Sequence, residues 1–227
     1  MRIAMIPARM GSQRLKKKNL LPLNGVPLIQ RAIRRCQESN VFDEIYVNSE
    51  NEEFAPYAEA EGAKFHRRPE ELGSNAATSE DFVAEFLQKI DCDRVFQIHS
   101  IAPLASATGI REFVEFSESS GCDTVLSCVN EQIECALDGE PVNFSFEKKT
   151  NSQDLSPLQR ITWSLSSWTR CRYLEAYDAR RCATYAGKVG FYPLDRFSGI
   201  VIKRQEDLDM AEALLGYIGD GPEYGSR

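Results

Sequence analysis

The chain has 227 residues, 42% of them apolar, and a formal net charge of −7. That length suits one core with an appended lobe, so residues 1–227 are expected to form a single domain, and the acidic balance excludes a general nucleic-acid binder, which must neutralise many phosphates. No run of about 18 apolar residues occurs, and the opening MRIAMIPA reads as a strand rather than an export leader, so neither a membrane partner nor secretion is expected.

Strand and helix patterns then alternate along the chain. A strand is expected over 2–7, a helix over 27–39, a strand over 44–48, a helix over 51–61 and a short strand over 64–66. A helix over 79–90, a strand over 94–99, a helix over 106–119 and a strand over 124–130 follow. Such alternation predicts an α/β, Rossmann-like fold: a mostly parallel sheet with helices on both faces, whose ligands lie beyond the carboxyl ends of the strands. The loops after Pro7, Asn48 and His99 are therefore expected to converge on one cleft.

Over 131–167 the alternation lapses into a polar stretch, read as a small inserted lobe or dimerisation arm, with Asp138-Gly139 as a turn and a short strand over 144–147. Trp163 and Trp168 are expected to anchor a core or an interface. A helix over 169–179, a further element over 186–193, a strand over 199–203 and a final helix over 205–217 complete the pattern. The tail 219–227, with three glycines and a proline, is expected to fray.

The seven cysteines are odd in number and form no CxxC pair, which reads as reduced thiols in a cytoplasmic protein. Charge is unevenly spread. Residues 1–35 carry nine Arg and Lys and no acid, so the first segment is +9 and the remainder −16. A local positive field on an acidic protein suits a small polyanion held in one place. Arg31, Arg34 and Arg35 read as a solvated basic helix face, and the other cations cluster in the loop after the first strand.

That loop, Ile6-Pro7-Ala8-Arg9-Met10-Gly11-Ser12-Gln13-Arg14-Leu15-Lys16-Lys17-Lys18-Asn19, carries one Gly, one Ser and five cations. Its backbone N–H groups can converge on phosphate oxygens, while Arg supplies two-donor planar contacts and Lys a point charge. Neither GxxxxGK[ST] nor GxGxxG is present, so it is not a Walker or dinucleotide loop.

The stretch IPARMGSQRLKKKNLLPLNGVPLI resembles the opening of the sugar-acid cytidylyltransferases, the acylneuraminate and 3-deoxy-manno-octulosonate activating enzymes. The resemblance continues through IYVNSENEEFAPYAEAEGAKFHRRPEELGSNAATSEDFV and 97–104, and returns in SQDLSPLQ and SGIVIKRQEDLDMAEALL. It implies transfer of CMP from CTP to a keto sugar acid with release of pyrophosphate, a homodimer, and Mg²⁺. It further implies that Arg9, Ser12, Arg14 and Lys18 hold phosphates within a loop that includes Ala8 and Gly11. Asn19 and Arg68 would lie near the cytosine and ribose, and Gln97 would touch the sugar acid. An ion pair of Arg68 with Glu70 or Glu71 is the plainer alternative.

Departures fall on the chemistry. Where the family's closing strand reads roughly Ile-Asp-Ile-Asp, this chain has Ile200-Val201-Ile202-Lys203, and 97–104 contains no acid. The family's Ser-Thr-Asp after the second strand is Asn48-Ser49-Glu50, and its Asn-Gly pair near the sugar is replaced around Ile161-Thr162-Trp163-Ser164. Three readings stay open: a transferase whose Mg²⁺ is held by phosphates, water and a displaced acid such as Glu50, Asp195 or Asp207; a transferase in which the Lys203 ammonium takes the metal's place; or a nucleotide- or sugar-binding subunit without chemistry. Lys203 could equally be an edge-strand lysine. His66 and His99 are too few for a zinc site; His99, at a strand end, could meet the sugar or be merely hydrogen-bonded.

Overall fold

The structure, a computed structural model, describes residues 1–219; the fraying tail expected over 219–227 lies, Gly219 apart, outside the described residues. In chain order the elements are β1 (Arg2–Pro7), a tight hairpin of β2 (Pro22–Leu23) and β3 (Val26–Pro27), α1 (Leu28–Ser39), β4 (Glu44–Ser49), α2 (Ala55–Ala60) and β5 (Lys64–Arg67). Then come α3 (Ser79–Lys89), β6 (Arg94–Ile98), α4 (Ala107–Ser119), β7 (Thr124–Glu131), and a second small hairpin of β8 (Ala136–Leu137) and β9 (Glu140–Pro141). The chain closes with β10 (Leu158–Thr169), α5 (Arg170–Asp178), β11 (Val189–Pro193) and α6 (Gln205–Ile218).

Seven strands form one sheet in the order β11-β7-β10-β6-β1-β4-β5. All neighbours run parallel except β10, which is antiparallel to both β6 and β7. A parallel strand buried on both faces reads as a near-continuous apolar run, and β1 does after Arg2: Ala4 and Ile6 face one layer while Ile3 and Met5 face the other, all fully buried. On the first face α1, α2 and α4 pack through Ile29, Ile33, Ala58, Ile110 and Phe113, and on the second α3 and α5 pack through Phe86, Leu87 and Tyr173. Each fully buried side chain of this size contributes roughly 1.5–3 kcal/mol of apolar burial. A third cluster seats α6, through Leu208, Ala211 and Leu215, on Leu23, Leu28, Leu104 and Ile202.

Helix ends follow local chemistry. Helix α1 stops where Asn40 turns left-handed at φ 54, and α3 starts on a capping box in which the Thr78 side chain accepts from the Asp81 N–H while Asp81 accepts from the Thr78 N–H.

Four expectations are corrected. Residues 158–167, read as part of the arm, belong to β10 inside the sheet, so the stretch outside it is 132–157. The strand expected over 144–147 is a series of bends. The strand expected over 199–203 is a loop: Ile202 donates its N–H to Ile101 O, beyond the end of β6, and buries its side chain against α6 rather than joining the sheet. Finally, Arg31 and Arg35 are buried rather than solvated, and only Arg34 lies at the surface, paired with Glu61.

Candidate functional site

Strand order reverses at β1. From there the chain winds outward through β4 and β5, then crosses back to β6 on the other side. Loops leaving β1 and β6 at such a switch point splay apart and leave a crevice beyond their carboxyl ends. A cavity of about 240 Å³ opens there, lined by Pro7, Ala8, Arg9, Ser12, Gln13, Arg14, Lys18, Asn19, Arg68, Phe82, His99 and Ile101. Four of these are cationic and none is a carboxylate.

The loop is held from three sides. The Ala8 N–H donates to Asn48 O at 2.9 Å, continuing the ladder past the end of β1, and the Met10 N–H donates to Glu50 Oε1 at 2.9 Å. Asn19, buried at the end of the loop, donates through Nδ2 to Arg9 O at 3.2 Å and accepts from Ser100 Oγ at 3.0 Å. Its amide thus ties the cationic loop after β1 to the loop after β6.

Arg68 supplies the third tie. Only 3% exposed, its guanidinium donates to Ala8 O at 2.9 Å, Asn48 O at 3.2 Å and Glu50 Oε2 at 2.8 Å, and lies 4.7 Å from the centre of the Phe82 ring. Burial lowers its pKa, and the Glu50 carboxylate opposes that shift. The ion pair expected with Glu70 or Glu71 is replaced by this one because β4 and β5 run parallel with Ser49 opposite Arg67, which brings Glu50 level with Arg68. Gly73 makes room, since a β-carbon there would fall on the Glu50 side chain.

Lys18, half-buried, has its ammonium pKa lowered by desolvation first, then by Arg14, Arg9 and Lys203, with Asp207 pulling the other way. Arg9 reaches Asn75 Oδ1 at 3.4 Å. Lys17 sits at φ 49 and turns to Glu53 at 3.2 Å, away from the cavity wall. Gly11 is exposed, and a β-carbon there would meet nothing. Lys203 is exposed in the loop before α6, near enough to Lys18 to act on its charge.

Gln97 does not reach the cavity wall: it is 2% exposed within the sheet, and its side-chain amide is hydrogen-bonded to His99 Nε2 at 2.6 Å. Burial, then Lys18, pushes the His99 pKa from 6.5 to about 4. The unfolded chain takes up this proton below pH 6.5 while the folded chain resists until about 4, so stability falls as pH drops through that window. Urea-unfolding midpoints should therefore decline from pH 6.5 to 4 less steeply in His99→Gln than in the parent; equal slopes would remove the ring from this account.

Glu50, Asp195 and Asp207, the acids that could replace the family's Mg²⁺ ligands, are committed elsewhere. Glu50 serves Arg68 and the Met10 N–H, Asp195 accepts from the Phe197 and Ser198 N–H groups at 2.8 and 3.0 Å, and Asp207 caps α6 by accepting from the Lys203 and Arg204 N–H groups at 2.7 and 2.9 Å. Among the described residues no three His, Cys, Asp or Glu side chains gather to hold a metal. The residues present do not fit a carboxylate-held Mg²⁺.

Sequence reasoning missed Phe82, Gln13 and Ile101 as cavity residues, and Glu50 as the partner of Arg68. The last was findable, because an acid and an arginine one residue beyond two adjacent parallel strands must meet.

Comparison with known proteins agrees with this geometry. A family profile described as "Cytidylyltransferase" matches residues 3–214. N-acylneuraminate cytidylyltransferase A of Danio rerio is 35% identical over 162 residues, covering 67% of this chain and 38% of that protein. Pseudaminic acid cytidylyltransferase of Campylobacter jejuni is 30% identical over 119 residues, 50% of this chain and 51% of that one. The chain thus spans about half or less of the length of these relatives. Among solved structures, CMP:2-keto-3-deoxy-manno-octonic acid synthetase complexed with CTP superposes with a TM-score of 0.71 at 16% identity, covering 95% of this chain and 98% of that one, which shows a shared fold. The profile match across nearly the whole described sheet, on a chain whose cationic loop leaves the switch strand, places this protein in the cytidylyltransferase family.

Proposed function

We propose that this chain activates a keto sugar acid with CTP, giving the CMP-sugar and pyrophosphate. The observation that carries this reading is the cavity at the switch point, walled by Arg9, Arg14, Lys18 and Arg68 without a carboxylate. In the reaction the anomeric hydroxyl oxygen bonds to the α-phosphorus, the α–β bridging P–O bond breaks, pyrophosphate departs and the hydroxyl proton passes to solvent. Little covalent work falls to the protein; positioning and charge neutralisation dominate. Arg9, Arg14, Lys18 and Lys203, with Ser12 and the backbone of Gly11, are assigned to the phosphates, and Ala8, Asn19 and Arg68 to holding the loop that presents them. Support for a sugar acid comes from the names of the relatives, which act on N-acylneuraminate and pseudaminic acid.

The test is pyrophosphate release from CTP across a panel containing N-acetylneuraminate, pseudaminate and 2-keto-3-deoxy-manno-octonate. Release with one sugar acid is expected. CTP binding without release from any of them would favour the second reading, a nucleotide-binding subunit, which the dispersal of Glu50, Asp195 and Asp207 also supports.

We also assign a homodimer formed through 132–157, where Ile133, Leu137, Val142 and Phe146 are more than half exposed. Sedimentation should give twice the chain mass, and Leu137→Glu with Phe146→Glu should return it to one. The seven free cysteines suit a reducing, cytoplasmic setting, and among the described residues no helix is long and apolar enough to cross a membrane.

A further inference from the structure

The charge a nucleotide brings to a site depends on whether a divalent ion travels with it. Free CTP near neutral pH carries about four negative charges and its magnesium complex about two, and a protein selects between them by what it offers the phosphates. A site built for the complex offers oxygen ligands or waters anchored by carboxylates. A site built for the bare anion offers cations and N–H donors.

This cavity is of the second kind. Arg9, Arg14 and Lys18 line it together with Arg68, whose charge Glu50 already answers; Lys203 lies near enough to Lys18 to act on its charge, and no acid is on the wall. The nearest acids are occupied by protein donors: Glu50 by the Arg68 guanidinium and the Met10 N–H, Asp207 by two N–H groups at the start of α6. Neither can turn to a metal without uncapping a helix or stranding a buried guanidinium. A magnesium ion on the β- and γ-phosphates would meet ammonium and guanidinium groups competing for the same oxygens, and would halve the charge those groups are arranged to receive. The depressed pKa of Lys18, with Arg14, Arg9 and Lys203 crowding it, is the mark of a cation cluster that a polyanion relieves.

Building on the cytidylyltransferase reading, we propose that this pocket takes CTP as the metal-free anion in preference to its magnesium complex, with Lys18 and Lys203 supplying the neutralisation a divalent ion would otherwise supply. The sequence position of Lys203, where the resembling enzymes carry a carboxylate, is then an exchange of a metal ligand for a fixed charge.

Calorimetric titration of the full chain with CTP, once in EDTA and once in saturating Mg²⁺ at matched ionic strength, tests this. The dissociation constant is expected to rise on adding Mg²⁺ by about threefold or more, as fits the loss of charge attraction in a partly screened site. A constant that is unchanged or lower with Mg²⁺ overturns the proposal while leaving the CTP reading intact; no heat of binding in either buffer overturns both. In Lys203→Asp, an exposed substitution that spares the core, the preference should shrink or reverse, and a ratio identical to the parent's would strike Lys203 from the assignment.

Discussion

Arg68→Leu is expected to destabilise the protein by about 3–5 kcal/mol, the scale on which breaking one half of a buried ion pair acts. The guanidinium is the sole bridge among the described residues that touches the ends of β1, β4 and β5 at once, through Ala8 O, Asn48 O and Glu50. Its loss strands the Glu50 carboxylate in a site where the side chain is 10% exposed. The double variant Arg68→Leu, Glu50→Leu should recover much of that stability, since an apolar pair of similar volume removes the stranded charge, though the Met10 N–H then loses its acceptor. The measurement is equilibrium urea unfolding of the two single variants and the double. Additive losses would mean that the two residues act independently. Both single variants should also bind CTP more weakly, because the loop they anchor carries the cations assigned above to the phosphates.

Arg14→Ala should weaken CTP binding by about tenfold to a hundredfold, corresponding to the roughly 1.5–3 kcal/mol of a hydrogen bond to a charged group. Arg14 is well suited to this test. It is exposed, makes no hydrogen bond or ion pair with another described residue, and lines the cavity, so truncation leaves the fold intact while removing a planar two-donor contact. Isothermal titration with CTP reads the loss, and an unchanged far-ultraviolet dichroism spectrum confirms folding. An affinity equal to the parent's would remove the phosphate assignment from the loop's outer half.

The parallel core was legible because its strands are apolar on both faces and its helices show one apolar stripe each: β1, α1, β4, α3, β6, α4 and β7 lie where periodicity puts them, within a residue or two. Strand β10 was hidden by its own composition. Ser164, Ser166 and Ser167 are fully buried yet polar, with Ser164 donating to Ser198 O at 2.8 Å and Ser167 to Ser117 at 3.1 Å. Those partners lie more than thirty residues away, beyond any local pattern. The false strand at 199–203 shows the opposite error: β-branched residues state a preference, but Ile202 is spent on Ile101 O and the α6 cluster, outside the sheet ladder. In the site, the loop cations and His99 were readable from residue type and from the rule that strand ends make clefts. The inward position of Gln97 and the service of Asn19 and Arg68 as ties depend on which backbone oxygens the fold brings near, and no spacing along the chain encodes that.

The antiparallel strand also sets an order of assembly. Strand β7 has ladder partners only in β10 and β11, both of which follow it in the chain, whereas β5, β4, β1 and β6 are mutually paired once synthesis passes Ile98. A chain emerging from the ribosome can therefore close the half that carries the cationic loop early, while β7 waits with both edges bare until residue 169 arrives to zip it to β6. During that interval a hydrophobic strand is open to foreign pairing, so the arrival of β10 and β11 bears on how much of the synthesised protein reaches its native state.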